Sequence, residues 1–483
     1  EGTFEAIIPF IDYLKNDLGV TAIELMPVAQ FPGERNWGYD GVYLYAPQNS
    51  YGGPMGLKHL INACHKKGLA VILDVVYNHL GPEGNYLGDY GPYFTDRYRT
   101  PWGAAINVDG SESGEVRKFI IDNALYWITE YHMDGLRIDA VHGIFDFSAQ
   151  HVLFDIREAV HGQAKKLNRH IVVIAESDLN DVRVIDSPRR GGYGLDAQWN
   201  DDFHHSLHTL LTGERNGYYE DFGDFNQLVK ALREGFVYSG QYSPYRKRRH
   251  GNSSSHLPSS KFIVFSQNHD QVGNRLKGER LSALVSFEAL KLAAGIVLLS
   301  PSIPLLFMGE EYGEEAPFQY FVSHSDQALI EAVRKGRSEE FTAFQWGGEI
   351  PDPQDEVTFL RSKINLGLRH EGKNQTLLQF YEALIKLRKE LYPSSSDKKS
   401  VQIEGFGREK VILIKWECGK DQVIGLFNFN DKPIKIEIAV EKGNWEKVFS
   451  SASEKRGVVS EGIFRLDIHA FALYRMERGG EAR

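Results

Sequence analysis

The chain has 483 residues, with 55 Lys and Arg against 65 Asp and Glu, a net charge of -10, and 42% of its residues drawn from AVILMFWYC. That length exceeds the need of one buried core and predicts two or more domains. The acidic balance disfavours nucleic acid as the main partner, and no apolar run is long enough to cross a bilayer. The only cysteines, Cys64 and Cys418, lie far apart without partners at metal-site spacing, which excludes a disulfide framework and argues against a structural zinc.

The start, EGTFEAIIPF, lacks the features of a secretory signal. A soluble protein of a reducing compartment, the cytoplasm, is expected, with no cofactor and no membrane partner. From Val20 to about Met308, short apolar runs with polar ends alternate with amphipathic segments. Strands are predicted within 19–28, 68–79, 133–141, 170–177, 194–199, 261–270 and 302–311. Their nearly continuous apolar character suits a parallel sheet covered on both faces. Between the first two, residues 55–68 read as a helix, with Leu57, Leu60, Ile61 and Cys64 at helical spacing and Gly68 placed to end it.

Seven such strands predict an α/β chain folded as a (β/α)₈ TIM barrel. A doubly wound sheet is less well supported because no Gly-rich phosphate loop follows an early strand. One barrel strand is unaccounted for and is expected before Glu1, which leaves 1–18 as the first loop and helix. Residues 80–110, rich in Gly, Asp and aromatics, are too long for a simple βα turn and read as a loop excursion over the barrel mouth. A long helix is predicted from about 375, ended by Pro393 and the following SSSDKK. Segments 411–417, 422–430, 434–440 and 463–476 then read as short strands joined by turns. The expected domains are a barrel over 1–395 and a C-terminal all-β sandwich over 396–483.

Asp139, Glu176 and Asp270 follow three of the strands, and Asp74 lies within a fourth. In a barrel these strand ends converge. Buried unpaired carboxylates would cost roughly several kcal/mol each, so the cluster requires cations or a chemical task. Arg137, two residues before Asp139, shares its face of the strand, and His79 and His269 add donors. One strand-end Asp alone is as readily a helix cap; three on separate strands beside His and Arg are not. Two carboxyl groups flanking an acetal can hydrolyse it if one is protonated and the other ionised. Asp139, beside Arg137, suits the nucleophile, and Glu176, after the apolar IVVIA, suits the acid/base. Asp270 would brace the sugar hydroxyls.

Trp37, Tyr39, Tyr77, Tyr86, Tyr90, Tyr93 and Trp102 all lie in or beside the proposed mouth loops, and Tyr39 is the one chosen as a sugar contact. The basic run 242–251 reads as a solvated loop near substrate. His204, His205 and His208 read as packing or hydrogen-bonding groups, and no metal site is expected.

These residues resemble the α-amylase superfamily of retaining glycoside hydrolases over nearly the whole chain. DVVYNH (74–79), GLRIDAV (135–141), IAES (174–177) and NHD (268–270) are similar to four of its motifs, in order. The resemblance implies that Arg137, His79 and His269 bind the ring at the cleavage subsite, that Asp74 and Asn78 support it, and that Tyr39 stacks on the same sugar. Longer stretches, among them RIDAVHGIFD and PLLFMGEEYGEEAPFQYF, are similar to the maltooligosyltrehalose trehalohydrolase family. That implies cleavage of the α-1,4 bond next to a terminal trehalose, a trehalose-capped maltooligosaccharide or related α-glucan as substrate, and functional pairing with a maltooligosyltrehalose synthase. His142, Asp178, Asn180 and Asp181 become candidate trehalose contacts. A glycogen-branching enzyme and an α-amylase-type glucan hydrolase are the alternatives. A noncatalytic glucan-binding protein is disfavoured because all three carboxyl residues are present. Members of the family carry an N-terminal β-sandwich and a first barrel strand ahead of the GTFEAI equivalent, and both are expected upstream of Glu1.

Overall fold

The computed structural model describes residues 2–100, 102–342, 348–392, 401–418, 421–441, 443–452, 457–459 and 462–477. Each of the seven segments predicted as strands contributes one strand to a single sheet: Ala22–Leu25 (β1), Ala70–Val75 (β2), Gly135–Ile138 (β3), Val172–Ala175 (β4), Ala197–Trp199 (β5), Phe262–Val264 (β6) and Ile303–Pro304 (β7). They neighbour one another in chain order and every pair is parallel, the topology of a (β/α) barrel. All four residues of β3 are buried, so side chains on both of its faces are enclosed. Gly135 permits this closeness: a Cβ there would lie 2.7 Å from Val172 Cγ2.

Helices Gly53–Lys66 (α1), Ser113–Glu130 (α2) and Val152–Leu167 (α3) share one apolar core with β2, β3 and β4. The predicted stripe of α1, Leu57, Leu60, Ile61 and Cys64, is buried. Its end is closed by Gly68 at φ +69, where the Gly68 and Leu69 amides return to the carbonyls of His65 and Cys64.

Residues 80–110 differ from a bare loop. They contain a short helix, Leu87–Tyr90, and an antiparallel hairpin, Phe94–Thr100 with Gly103–Ile106. The charged and glycine-rich composition hid this hairpin because few of its strand residues are buried and they show no apolar alternation.

Beyond the long helix Gly372–Leu391, strands Gln402–Phe406 (β8), Val411–Cys418 (β9), Asp421–Asn428 (β10), Ile434–Glu437 (β11), Trp445–Ser450 (β12), Val458–Val459 (β13), Ile463–Leu466 (β14) and Phe471–Glu477 (β15) follow. Six form a sheet in the order β8-β9-β10-β15-β12-β13, and β11 pairs with β14. One face of the six-stranded sheet, including Leu413, Ile424 and Leu426, packs on Ile436 and Phe464 of the ribbon. Alternate residues Ile412, Ile414, Trp416, Phe427 and Phe471 belong to a cluster with helices Asp201–Thr212 (α4), Phe287–Leu299 (α5) and Gly372–Leu391 (α6). At Gly295 of α5 an added Cβ would stand 2.2 Å from the Phe471 ring. The predicted segment 463–476 splits into two strands at a turn where His469 has φ +44. Pro393, SSSDKK and the 395/396 boundary lie outside the described residues. No helix among the described residues is long and apolar enough to cross a membrane.

Candidate active site

Arg137 organises the strand ends. Its side chain is 0% exposed, and Nη1 lies 2.8 and 2.7 Å from the carboxylate oxygens of Asp74 and 2.9 Å from Asp139 Oδ1. Nη2 lies 3.8 Å from Glu176 Oε2. The period-two strand puts Arg137 and Asp139 on one face, and Arg137 stands in register with Asp74 on β2. The Trp199 ring closes the remaining side, 4.2 Å from the guanidinium carbon.

Backbone bonds from Asp139 to Val75 and from Glu176 to Ile138 carry the sheet ladder up to the acids themselves. The Ala140 amide then donates to Glu176 Oε2 at 2.6 Å. Ala140 has φ +38, a left-handed conformation for a residue with a Cβ, and the surrounding ladder holds that strain at the site.

A second tier fixes these groups. Asn78 donates to Asp139 Oδ2 at 2.8 Å and to its carbonyl at 2.9 Å, while its Oδ1 meets His79 Nδ1. His79 Nε2 is 2.9 Å from the Tyr39 carbonyl. The Tyr39 hydroxyl lies 2.7 Å from Asp74 Oδ2 and 2.7 Å from His269 Nε2, and the Tyr39 and His269 rings stack. Asp270 Oδ1 is 3.5 Å from the same His269 nitrogen. The structure thus brings Tyr39, Asp74, Asn78, His79, Arg137, Asp139, Glu176, His269 and Asp270 into one connected group.

Burial raises Glu176 to about 7; Arg137 opposes this and Asp139 adds to it. Asp270 is pushed up to about 6 by burial against the pull of Arg137. Burial and the Arg137 charge drive His269 down to about 3, so it is neutral. Arg137 is desolvated, yet Asp74, Tyr39, Asp139 and Glu176 keep it charged. Chemically, the arrangement offers a carboxyl that keeps its proton near neutrality beside a carboxylate gripped by a cation and an amide.

The four candidate trehalose contacts separate. His142 and Asp178 are partly exposed and lie 3.7 Å apart, and Asp178 accepts from Arg246 at 3.0 Å. The basic run 242–251 therefore delivers Arg246 to this loop. Asn180 is 4% exposed, and its amide donates to Asp202 and to the Tyr238 carbonyl. Asp181 caps the 182–184 turn and pairs with Arg183 at 2.6 Å. The Asp181 carboxylate thus serves the backbone of the turn, and Asn180 just before it takes φ +52.

Among the other mouth aromatics, Trp37 stacks on Phe318 and the Tyr77 hydroxyl donates to Asn123, both in the interior, whereas Tyr86 and Tyr90 are exposed. Trp102 is different and was passed over. It is 53% exposed and its ring lies 4.0 Å from that of His79 at an interplanar angle of 4°. Trp199 and Asp201 were also missed, although GLDAQWND carries the same apolar-run-then-acid pattern that marked the other strand ends. His204 is bonded to the Ser266 carbonyl and the Tyr219 hydroxyl, and His208 to Glu214. No group of three His, Cys, Asp or Glu among the described residues is arranged to hold a metal ion.

The alpha-amylase catalytic domain family model matches residues 1–99. Malto-oligosyltrehalose trehalohydrolase of Saccharolobus solfataricus is 50% identical over 477 residues, covering 99% of this chain and 79% of that protein. The enzyme of the same name from Arthrobacter ramosus is 44% identical over 445 residues, covering 92% and 74%. The crystal structure of a Salmonella typhimurium protein described as a candidate alpha amylase is 40% identical, with a TM-score of 0.86 over 98% of this chain and 79% of that one. Identity at this level over so much of both partners, on a shared barrel, means that the chain belongs to the malto-oligosyltrehalose trehalohydrolase family of the α-amylase superfamily.

Proposed function

We propose that the protein is a retaining glycosidase that cleaves the α-1,4 bond beside the terminal trehalose of maltooligosyltrehalose, releasing trehalose and a shorter maltooligosaccharide. Glu176 donates its proton to the leaving oxygen as the Asp139 carboxylate attacks the anomeric carbon, giving a glycosyl-enzyme and free trehalose. Glu176, now ionised, takes a proton from water; the water oxygen attacks the same carbon and the bond to Asp139 breaks. Asp270 holds ring hydroxyls at the reacting sugar, and Arg137, His79, His269 and Tyr39 position that sugar. The reaction as written balances with water alone and calls on no cofactor.

The observation carrying this reading is that Asp139 and Glu176 flank one buried guanidinium while burial keeps the proton on Glu176. The catalytic unit is assigned to residues 1–395 and the β-rich unit to 396–483. An α-glucan is the substrate class, a cytoplasmic setting and pairing with a synthase that makes the trehalose cap fit this role.

Incubation with maltotriosyltrehalose, followed by separation of the products, tests the reading. Free trehalose and maltotriose released with retained anomeric configuration are expected. New α-1,6 branches formed from amylose would overturn it in favour of a branching enzyme, and equal cleavage of uncapped maltooligosaccharides in favour of an amylase.

A further inference from the structure

The mouth excursion presents a second aromatic surface beyond the acids. Hairpin strand Phe94–Thr100 carries Tyr98, and the loop that leaves β3 after Asp139 carries Phe145 and Phe147. The Tyr98 ring stacks on both, with centroids 5.2 Å apart at 18° for Phe145 and 5.7 Å apart at 28° for Phe147. Tyr98 and Phe145 are half-buried, but Phe147 is 74% exposed, so most of its apolar surface gains nothing from folding. An isolated exposed ring needs no explanation. Three stacked rings beside a cleft form a contiguous apolar surface, the kind that marks binding.

The rings are held in place without any ligand. Asp109, with its side chain 1% exposed, accepts through Oδ2 from the Tyr98 hydroxyl at 2.7 Å and from the Phe147 amide at 2.9 Å. Asp146, between the two Phe residues, accepts from Arg117 at 2.7 Å and from the Val152 amide at 2.6 Å, which ties the loop to α2 and α3. A surface prepared in this way loses little freedom when it is occupied. It is also continuous with the acids: Trp102, four positions after Tyr98, stacks on His79 at 4.0 Å, His79 meets Asn78, and Asn78 holds Asp139. Four residues of chain span at most roughly 14 Å, so the ladder stands within reach of an oligosaccharide whose reacting sugar lies at Asp139. Its neighbours Asp96, Arg97, Arg99, Ser148 and Gln150 are polar and exposed. A pyranose ring matches that pattern, with C–H groups on its faces and hydroxyls round its rim. A stable protein partner would instead need about 800 Å² of surface on each side.

We propose that Phe147, backed by Tyr98 and Phe145, is a stacking platform for a glucosyl unit of the substrate remote from the cleaved bond. This subsite rests on the proposed function, since it takes the same α-glucan. It binds without touching the reacting atoms, so it acts on affinity and not on the chemical step.

The test compares wild type with Phe147→Ala, Phe147→Leu and Phe147→Tyr by steady-state kinetics on glucosyltrehalose and maltopentaosyltrehalose. Because Phe147 is mostly exposed, its replacement leaves the fold intact, read as an unchanged melting midpoint. Phe147→Ala is expected to raise KM on the longer substrate about 2- to 10-fold, the worth of one aromatic contact, with kcat within about twofold of wild type. Phe147→Tyr, which keeps the flat face, should restore KM, and Phe147→Leu, which keeps only apolar bulk, should not. A rise on both substrates places the bound unit in the trehalose cap, and a rise on the longer one alone places it in the maltooligosaccharide chain; either supports the platform. Unchanged KM on both, a fall in kcat alone, or full rescue by leucine, while wild type releases trehalose, would overturn the platform alone. A wild type that releases no trehalose would overturn the proposed function and the platform with it.

Discussion

Arg137 and Asp74 are locked together at 2.7 and 2.8 Å with both side chains enclosed. Removing Asp74 leaves the buried Arg137 charge with Asp139 as its one remaining close carboxylate partner. Asp74→Ala is expected to destabilise the fold by about 3–5 kcal/mol and to free the Tyr39 hydroxyl on one side. Urea unfolding checks this, and a change below about 1 kcal/mol would show that the pair is not the support described.

Glu176→Gln removes the transferable proton at constant shape. Hydrolysis should fall by about a hundredfold or more, while glucan affinity, read by calorimetry, stays close to that of wild type. Because the protonated form is the active one and Glu176 is raised to about 7, kcat/KM should decline as pH rises through about 7. A profile still flat at clearly alkaline pH would exclude this group as the acid.

Glu310, buried against the Tyr381 hydroxyl and the Phe307 amide, is pushed up to about 8 from an ordinary 4.5, with burial the main cause. Between those two values the folded chain retains a proton that the unfolded chain has released. Stability therefore decreases with rising pH across that window, by up to about 1.4 kcal/mol per pH unit from this group. Glu310→Gln mimics the neutral form and should lessen the loss seen in denaturant midpoints measured at pH 5 and pH 8. An unchanged slope would mean that Glu310 is ionised in the folded state.

Trp102 covers His79 from the hairpin of the 80–110 excursion. Trp102→Ala should raise KM for the capped glucan about 2- to 10-fold, in line with one lost aromatic contact of about 0.5–1.5 kcal/mol, with a smaller effect on kcat. Steady-state kinetics on a defined oligosaccharide decide this, and a fall in kcat alone would place the ring outside substrate binding.

The barrel was legible because each of its strands is an apolar run with a polar end, and that pattern survives in sequence without any knowledge of neighbours. That Asp139, Glu176 and Asp270 meet in one place was legible for the same reason. The partners of Asn180 and Asp181 were not legible, because a polar residue after a strand end satisfies a turn as readily as a ligand, and Asp202 and Arg183 meet them only in the fold. Trp102 was lost among aromatics that the fold sends inward, such as Trp37 and Tyr77, or leaves exposed, such as Tyr86 and Tyr90, since nothing local distinguishes it from them. Strands 402–406 and 445–450 escaped because they are short and largely polar on their exposed faces.

Phe471 fits against a position on α5 where a single additional carbon would collide with it. The tail is therefore keyed to the barrel like a tenon in a mortise, and wedging the joint open would uncover the backs of the helices that carry the later strands. Heat or denaturant should accordingly melt both parts in one transition, and loosening the joint should be felt at the sugar-cleaving end although none of the described tail residues touches the acids there.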